Sequence, residues 1–222
     1  MTHLYKYFLL FLFFKCFGIS SAQDTLKNNY YLTIGADIVG PIEMAINPNR
    51  KMAEMSVTIG SHKNFYGSLE GGYLKFDEKN EKYDYKSNGE FVRIGFDYNI
   101  FNKNMPWEHN RILVGIRYGF SALKHEAGSI TIKDGLWGNY VTSFSSKSVT
   151  AQWLEASLNL RAEIAKNFSM GWAIQLRMLT TSSGMKSIKP AYIPGFGQGN
   201  SNTALGFTYS IYYSIPLFNK KI

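Results

Sequence analysis

Cysteine, charge and long apolar runs are all scarce in this chain, and each shortage removes a class of protein. Cys16 is the only cysteine. It falls within an N-terminal segment that reads as a cleavable leader, so the mature chain has neither a disulfide framework nor a thiol nucleophile. Charged residues make up 18% of the chain, which is little for a surface that meets water everywhere. Beyond the leader no apolar run approaches the roughly 18 residues of a membrane-crossing helix, so a membrane form of this protein must cross with strands. Basic residues exceed acidic ones, 24 to 16, and the excess persists after Lys6 and Lys15 leave with the leader. No run of five or six like charges is present, so nucleic-acid binding is not expected. The four histidines are scattered: His62 and His109 fall in turns on one side and His125 on the other, so neither a metal site nor a cofactor is expected.

Aromatic residues, by contrast, are plentiful at 16%. The first 22 residues have the layout of a secretory signal, with Lys6 near the start, an apolar run from Tyr7 to Phe14, and Ser20, Ser21 and Ala22 before Gln23. Cleavage after Ala22 is expected, leaving residues 23–222 as one domain. Phe13, Phe14 and Lys15 are not the small residues that precede a lipid-modified cysteine.

The mature chain is dominated by alternation, the pattern of a strand whose two faces meet different surroundings. Ile112, Val114, Ile116, Tyr118 and Phe120 alternate with Arg111, Gly115, Arg117, Gly119 and Ser121. Leu154 to Ile164 alternates in the same way against Glu155, Ser157, Asn159, Arg161 and Glu163. Phe168 to Met178 and Leu205 to Leu217 give the strongest segments, and Leu32–Ile38, Ala53–Gly60, 65–76 and Val92–Tyr98 complete a set of eight. Most span about 9 to 13 residues, the length that tilted strands need to cross a bilayer. The expected fold is all-β: an eight-stranded antiparallel up-and-down transmembrane β-barrel with short periplasmic turns and long extracellular loops. A soluble barrel of lipocalin type would show the same alternation with the faces reversed.

The composition of the second face favours the membrane form. It is rich in Gly, Ser, Thr and Ala, yet carries charges of both signs, as the narrow interior of an eight-stranded barrel requires. Its parity collects Asp37, Glu54, Glu70, Asp97, Glu155 and Glu163 against Arg93, Arg111, Arg117, Arg161 and Arg177, a set expected to pair across the lumen and plug it. Connection lengths alternate as well. Tight turns are expected at His62–Asn64 and Lys166–Asn167, and long loops at 77–89, 126–150 and 181–203, which places both termini on the periplasmic side.

In size and architecture the chain resembles the small OmpA-like and OmpX-like outer-membrane barrels. More closely, FVRIGFDYN (Phe91–Asn99), VGIRYGFS (Val114–Ser121), MGWAIQLR (Met170–Arg177), YIPGFG (Tyr192–Gly197) and GFTYSIYYSIP (Gly206–Pro216) resemble an outer-membrane family with a domain of unknown function. The resemblance implies fold and location, and supplies no activity or site residues. It also exposes a departure, since such barrels usually end on an aromatic residue whereas Phe218 is followed here by Asn219, Lys220, Lys221 and Ile222.

A structural or interaction role through the extracellular loops is therefore expected, and an outer-membrane acyl hydrolase or transferase and a small diffusion pore are the alternatives. For a hydrolase, Ser121 and His125 share a face but stand about 13 Å apart along a strand, too far for a nucleophile and its base, and Glu126 points the other way. The triplet Asn167, Phe168, Ser169 matches a glycosylation acceptor and is read as coincidence in a tight turn. Lys51, Lys75 and Lys124 fall on the lipid-facing parity at the outer strand ends, where long basic side chains either snorkel to a solvated rim, the plainer reading, or meet the phosphates of lipopolysaccharide, so outer-membrane lipids are the expected partners and lipopolysaccharide the alternative among them. In the loop at 181–203, the apolar stretch Tyr192, Ile193, Pro194, Gly195, Phe196, Gly197 either folds over the barrel mouth or offers a protein partner a tip, together with Trp137, Tyr140 and Phe144.

Overall fold

The computed structural model describes residues 28–60, 64–80, 83–101, 110–134, 138–185 and 189–220. The leader with its cleavage point, His62, His109 and Trp137 lie outside the described residues.

The eight alternating segments become eight long strands: β1 (Asn28–Asp37), β2 (Arg50–Gly60), β3 (Phe65–Lys79), β4 (Tyr83–Asn99), β5 (Arg111–Asp134), β6 (Gly138–Ala165), β7 (Phe168–Ser183) and, after a two-stranded hairpin β8 (Tyr192–Ile193) and β9 (Gly197–Gln198), β10 (Thr203–Lys220). Each pairs antiparallel with its neighbours, and β1 closes the ring against β10. The register row that starts at Ile215 passes through Leu32, Ile59, Gly67, Phe96, Ile116, Ala156 and Leu176 and re-enters β10 at Leu205, a stagger of ten residues. An even stagger is what lets the two-residue pleat close without a face changing sides.

Burial follows that pleat. From Ser87 to Asn99 on β4 and from Leu113 to Ala127 on β5, buried and exposed residues alternate without a break. The buried set is the small and charged one, and the bulky apolar set faces outward, with Phe96 72%, Ile116 68% and Leu205 78% exposed. This is the reverse of a soluble barrel. The interior also holds large apolar side chains that alternation alone did not single out: Leu113, Leu123, Val149 and Trp153 are all buried.

Both tight turns use asparagine in the left-handed region, Asn64 at φ 67° and Asn167 at φ 64°, a conformation its side chain tolerates better than most. At the opposite end two of the three expected long loops are mostly strand. β3 runs to Lys79 and β4 resumes at Tyr83, while β5 runs to Asp134 and β6 resumes at Gly138. Polar residues on both faces hide the period there, but once the register is set below, the backbone ladder continues upward regardless. Between β1 and β2 stands a short helix, α1 (Val39–Ile46), that alternation did not reveal. It starts where the Asp37 carboxylate accepts the Gly40 amide at 3.0 Å, and Glu43 ties it to Arg50 at 2.9 Å.

Gly119 lies beneath the indole of Trp153, so a Cβ built there would stand 2.1 Å from the ring, whereas one at Gly67 would meet nothing within 4 Å. Gly119→Ala should therefore destabilise the barrel by about 1–3 kcal/mol through overpacking, and Gly67→Ala should leave it nearly unchanged. Urea titration of the folded electrophoretic band compares the two, and equal midpoints would contradict this packing.

Candidate functional site

The notable chemistry of the described residues is concentrated in the lumen. Register places Glu70 of β3 opposite Arg93 of β4, and Glu155 of β6 between Arg117 of β5 and Arg177 of β7. Arg93 pairs with Glu70 at 2.9 Å, with Glu54, and with Glu155 at 3.2 Å, reaching past β5 to do so. Arg117 binds Glu70 at 2.8 Å and Asp97 at 3.1 Å and donates to the Ser157 hydroxyl, and Arg177 binds Glu155 at 2.9 Å. Small residues make these reaches possible: a side chain at Gly115 would collide with the Asp97 carboxylate, 2.0 Å from its Cβ position. The result is one contiguous cluster of four carboxylates and three guanidiniums, with Arg93 at 0% exposure and Glu155 at 1%. An isolated charge at such depth would be prohibitive, and each of these has partners of opposite sign.

The other four residues of the same parity do different work. Both Asp37 oxygens accept backbone amides, from Gly40 at 3.0 Å and Tyr209 at 3.2 Å. Arg111 lies over the Tyr66 ring at 5.1 Å and Arg161 over Tyr212 at 4.0 Å. Glu163 accepts the Asn167 amide at 2.9 Å, stitching the tight turn. Parity assigned all eleven to one face, but their heights along the barrel separate them.

Above the ionic cluster the interior turns apolar. Ile193 and Phe196, from the segment joining β7 to β10, pack with Phe91, Leu123, Val149, Ala151 and Trp153, and the Phe196 ring meets Trp153 edge-on at 5.8 Å. This places the Tyr192–Gly197 stretch in the barrel mouth rather than on a free tip. Gly195, at φ 71° and pressed on Phe91, is a position only glycine fills easily. Three contacts fasten the segment: Arg177 donates to the Phe196 carbonyl at 3.0 Å, the Ala191 amide donates to the Tyr85 hydroxyl at 3.1 Å, and Arg50 lies over Tyr192 at 4.8 Å. One guanidinium thus serves both the ionic cluster and the cap.

Ser121 and His125 do not form a nucleophile and base pair. The Ser121 hydroxyl donates to the Glu90 carbonyl at 3.0 Å, while buried His125 has its Nδ1 3.3 Å from the Tyr85 hydroxyl and its ring 5.3 Å from Phe144. Burial, with the charge of Lys147, holds the His125 imidazole below its ordinary pKa. Tyr140 is exposed on the outward hairpin, and Phe144 is half-buried against His125. Among the described residues no three metal-ligating side chains converge. On the outer wall Lys51, Lys75 and Lys124 are all exposed and lie at one height.

No curated protein sequence matches the chain. Among solved structures it is similar to a major outer membrane protein from Thermus thermophilus, with 10% identity over 85% of this chain and 99% of that one and a TM-score of 0.45. It is also similar to Neisserial surface protein A, with 8% identity over 85% and 97% and a TM-score of 0.37, and to CarO2 of Acinetobacter baumannii, with 8% identity over 87% and 100% and a TM-score of 0.39. The model of the domain of unknown function DUF6048 matches residues 1–220, which takes in every strand of the barrel, and the chain belongs to that family.

Proposed function

We propose that this protein is an outer-membrane β-barrel with a closed lumen, exported by its leader, whose role is structural or is exercised through its outward hairpins. The observation that carries the reading is the inverted wall. The register row from Ile215 to Leu205 is apolar at every outward position except Gly67, and the rows on either side are as greasy. A continuous apolar belt of that kind far exceeds the few hundred Å² that a soluble monomer exposes. In hydrocarbon it is at home, and the closed ring leaves no unpaired backbone there.

Two features support a closed lumen over a diffusion pore. Eight strands enclose only enough space for side chains, and here that space is filled by the ionic cluster below and by Phe196 and Ile193 above. An interaction role is supported by the outward β5–β6 hairpin. The ladder between β6 and β7 ends at Thr150 and Ser183, so among the described residues one edge of β6 has no strand partner in the barrel from Gly138 to Val149, and Tyr140 and Val141 are exposed beside it. A free edge of that length is a template for an added strand from a protein partner.

The wall orientation can be tested with the four tryptophans. With Trp107 and Trp137 replaced by Phe, brominated lipids should quench the outward Trp172 and spare the inward Trp153. Quenching of Trp153, or a mature chain that stays dispersed without detergent, would overturn the membrane reading. For the lumen, Arg117→Ala strips a partner from Glu70, Asp97 and Glu155 and should cost about 3–5 kcal/mol, read as a lower temperature for the heat-dependent gel shift. In planar bilayers the wild-type protein should show no steady conductance steps, and reproducible unitary steps would exclude the closed lumen.

A further inference from the structure

Like charges facing each other across a strand pair destabilise it, yet β2 and β3 set Lys51 directly opposite Lys75. The row continues through Asn88 of β4 and Lys124 of β5 to Ser148 of β6. Five adjacent strands thus carry three ammonium groups and no acid at one height. Strands are spaced about 4.8 Å apart, so Lys75 and Lys124 flank Asn88 at roughly 10 Å. Among the described residues no ion pair involves Lys51, Lys75 or Lys124. The next row outward is arranged differently: Asp77, Lys86 and Glu126 alternate in sign, so Lys86 has an acid on either side. One row inward, Glu90 is the acid, between Tyr73 and Ala122. The chain supplies in-register acids for Lys86 and withholds them from the other three.

The register also leaves room at this place. A groove of about 340 Å³ opens over Asn88, lined by Lys75, Lys86, Lys124 and Ser146, with Asp77 and Glu126 at its outer edge. That is the space of roughly ten waters, ample for a phosphate carrying a sugar. Its depth is telling. Immediately inward stands Tyr73, a residue type that settles at the interface, and beyond it the apolar belt begins with Met55, Val92 and Phe120.

We propose that this lysine row and groove form a binding site for the phosphate of a phosphorylated glycolipid headgroup in the outer leaflet, of the diphosphorylated glucosamine class that anchors lipopolysaccharide. Lys75 and Lys124 hold the phosphate from two sides, Asn88 donates a hydrogen bond from below, and Lys51 adds charge along the row. Asp77 and Glu126, in register on either side of Lys86, set the outer limit of the site. This inference rests on the membrane reading above.

The test uses the full mature protein in lipid nanodiscs and native mass spectrometry. Diphosphorylated lipid A should bind, its dephosphorylated form should bind on the order of tenfold more weakly, and Lys75→Gln combined with Lys124→Gln should reduce lipid A binding by a similar factor. Lys79→Gln, outside the row, should change nothing. Equal binding by the double variant, equal binding of the dephosphorylated lipid, or occupancy by inorganic phosphate without preference for the lipid would each overturn the proposal. Quenching of Trp172 by brominated lipid separates the two levels: retained quenching in a wild-type protein that shows no headgroup preference sinks the site alone, whereas lost quenching sinks the membrane reading beneath it.

Discussion

The interior charge cluster is the constraint on which the rest of this barrel depends. Arg93, fully enclosed, needs Glu54, Glu70 and Glu155 at once, and those carboxylates come from three different strands. Removing a guanidinium from water costs several kcal/mol, a cost that only converging partners offset. The cluster is therefore satisfied only when β2, β3, β4 and β6 stand in their closed arrangement. A slip of one residue in any ladder would carry a charge to the apolar side, so the same interaction that fills the lumen also enforces the register.

The apolar segment in the barrel mouth is seated on top of that cluster. Arg177 is shared, binding Glu155 on one side and the Phe196 carbonyl on the other, so the cap segment is positioned by a residue that is itself positioned by the network. The apolar contacts of Ile193 and Phe196 with Trp153 supply burial, and the hydrogen bonds supply placement. An apolar segment thus finds an interior in a protein whose largest apolar surface faces outward.

The outer wall follows the opposite logic. Its apolar residues are interchangeable in chemistry and need no partners of their own, which is why their rows vary among Ile, Leu, Phe, Val and Met. The pattern changes where the belt ends. There the register aligns Lys51, Lys75 and Lys124 in a row without in-register acids, while the row beyond matches each charge with its opposite. Position along the strand, more than residue type, distinguishes a rim lysine with in-register acids beside it from one without.

The eight strands, their antiparallel order and the two residue sets that alternate along them were determined by the sequence alone, because a period of two is local and shows in any strand with unlike faces. Asn at both tight turns was legible for the same local reason. Which set faces inward, and which members of it meet, was decided only by closing the ring. Arg93 reaches Glu155 past a strand, and Asp37, Arg111, Arg161 and Glu163 share the parity of the cluster but lie at other heights, spent on backbone amides, aromatic rings and a turn. Trp153, Leu113 and Leu123 stayed hidden because an apolar residue on the polar face breaks the pattern that reveals strands. The hairpins above the wall stayed hidden because their two faces are alike. Local alternation reports the faces of a strand, whereas heights and partners arise from the ten-residue stagger, a property of the closed sheet that no single segment carries.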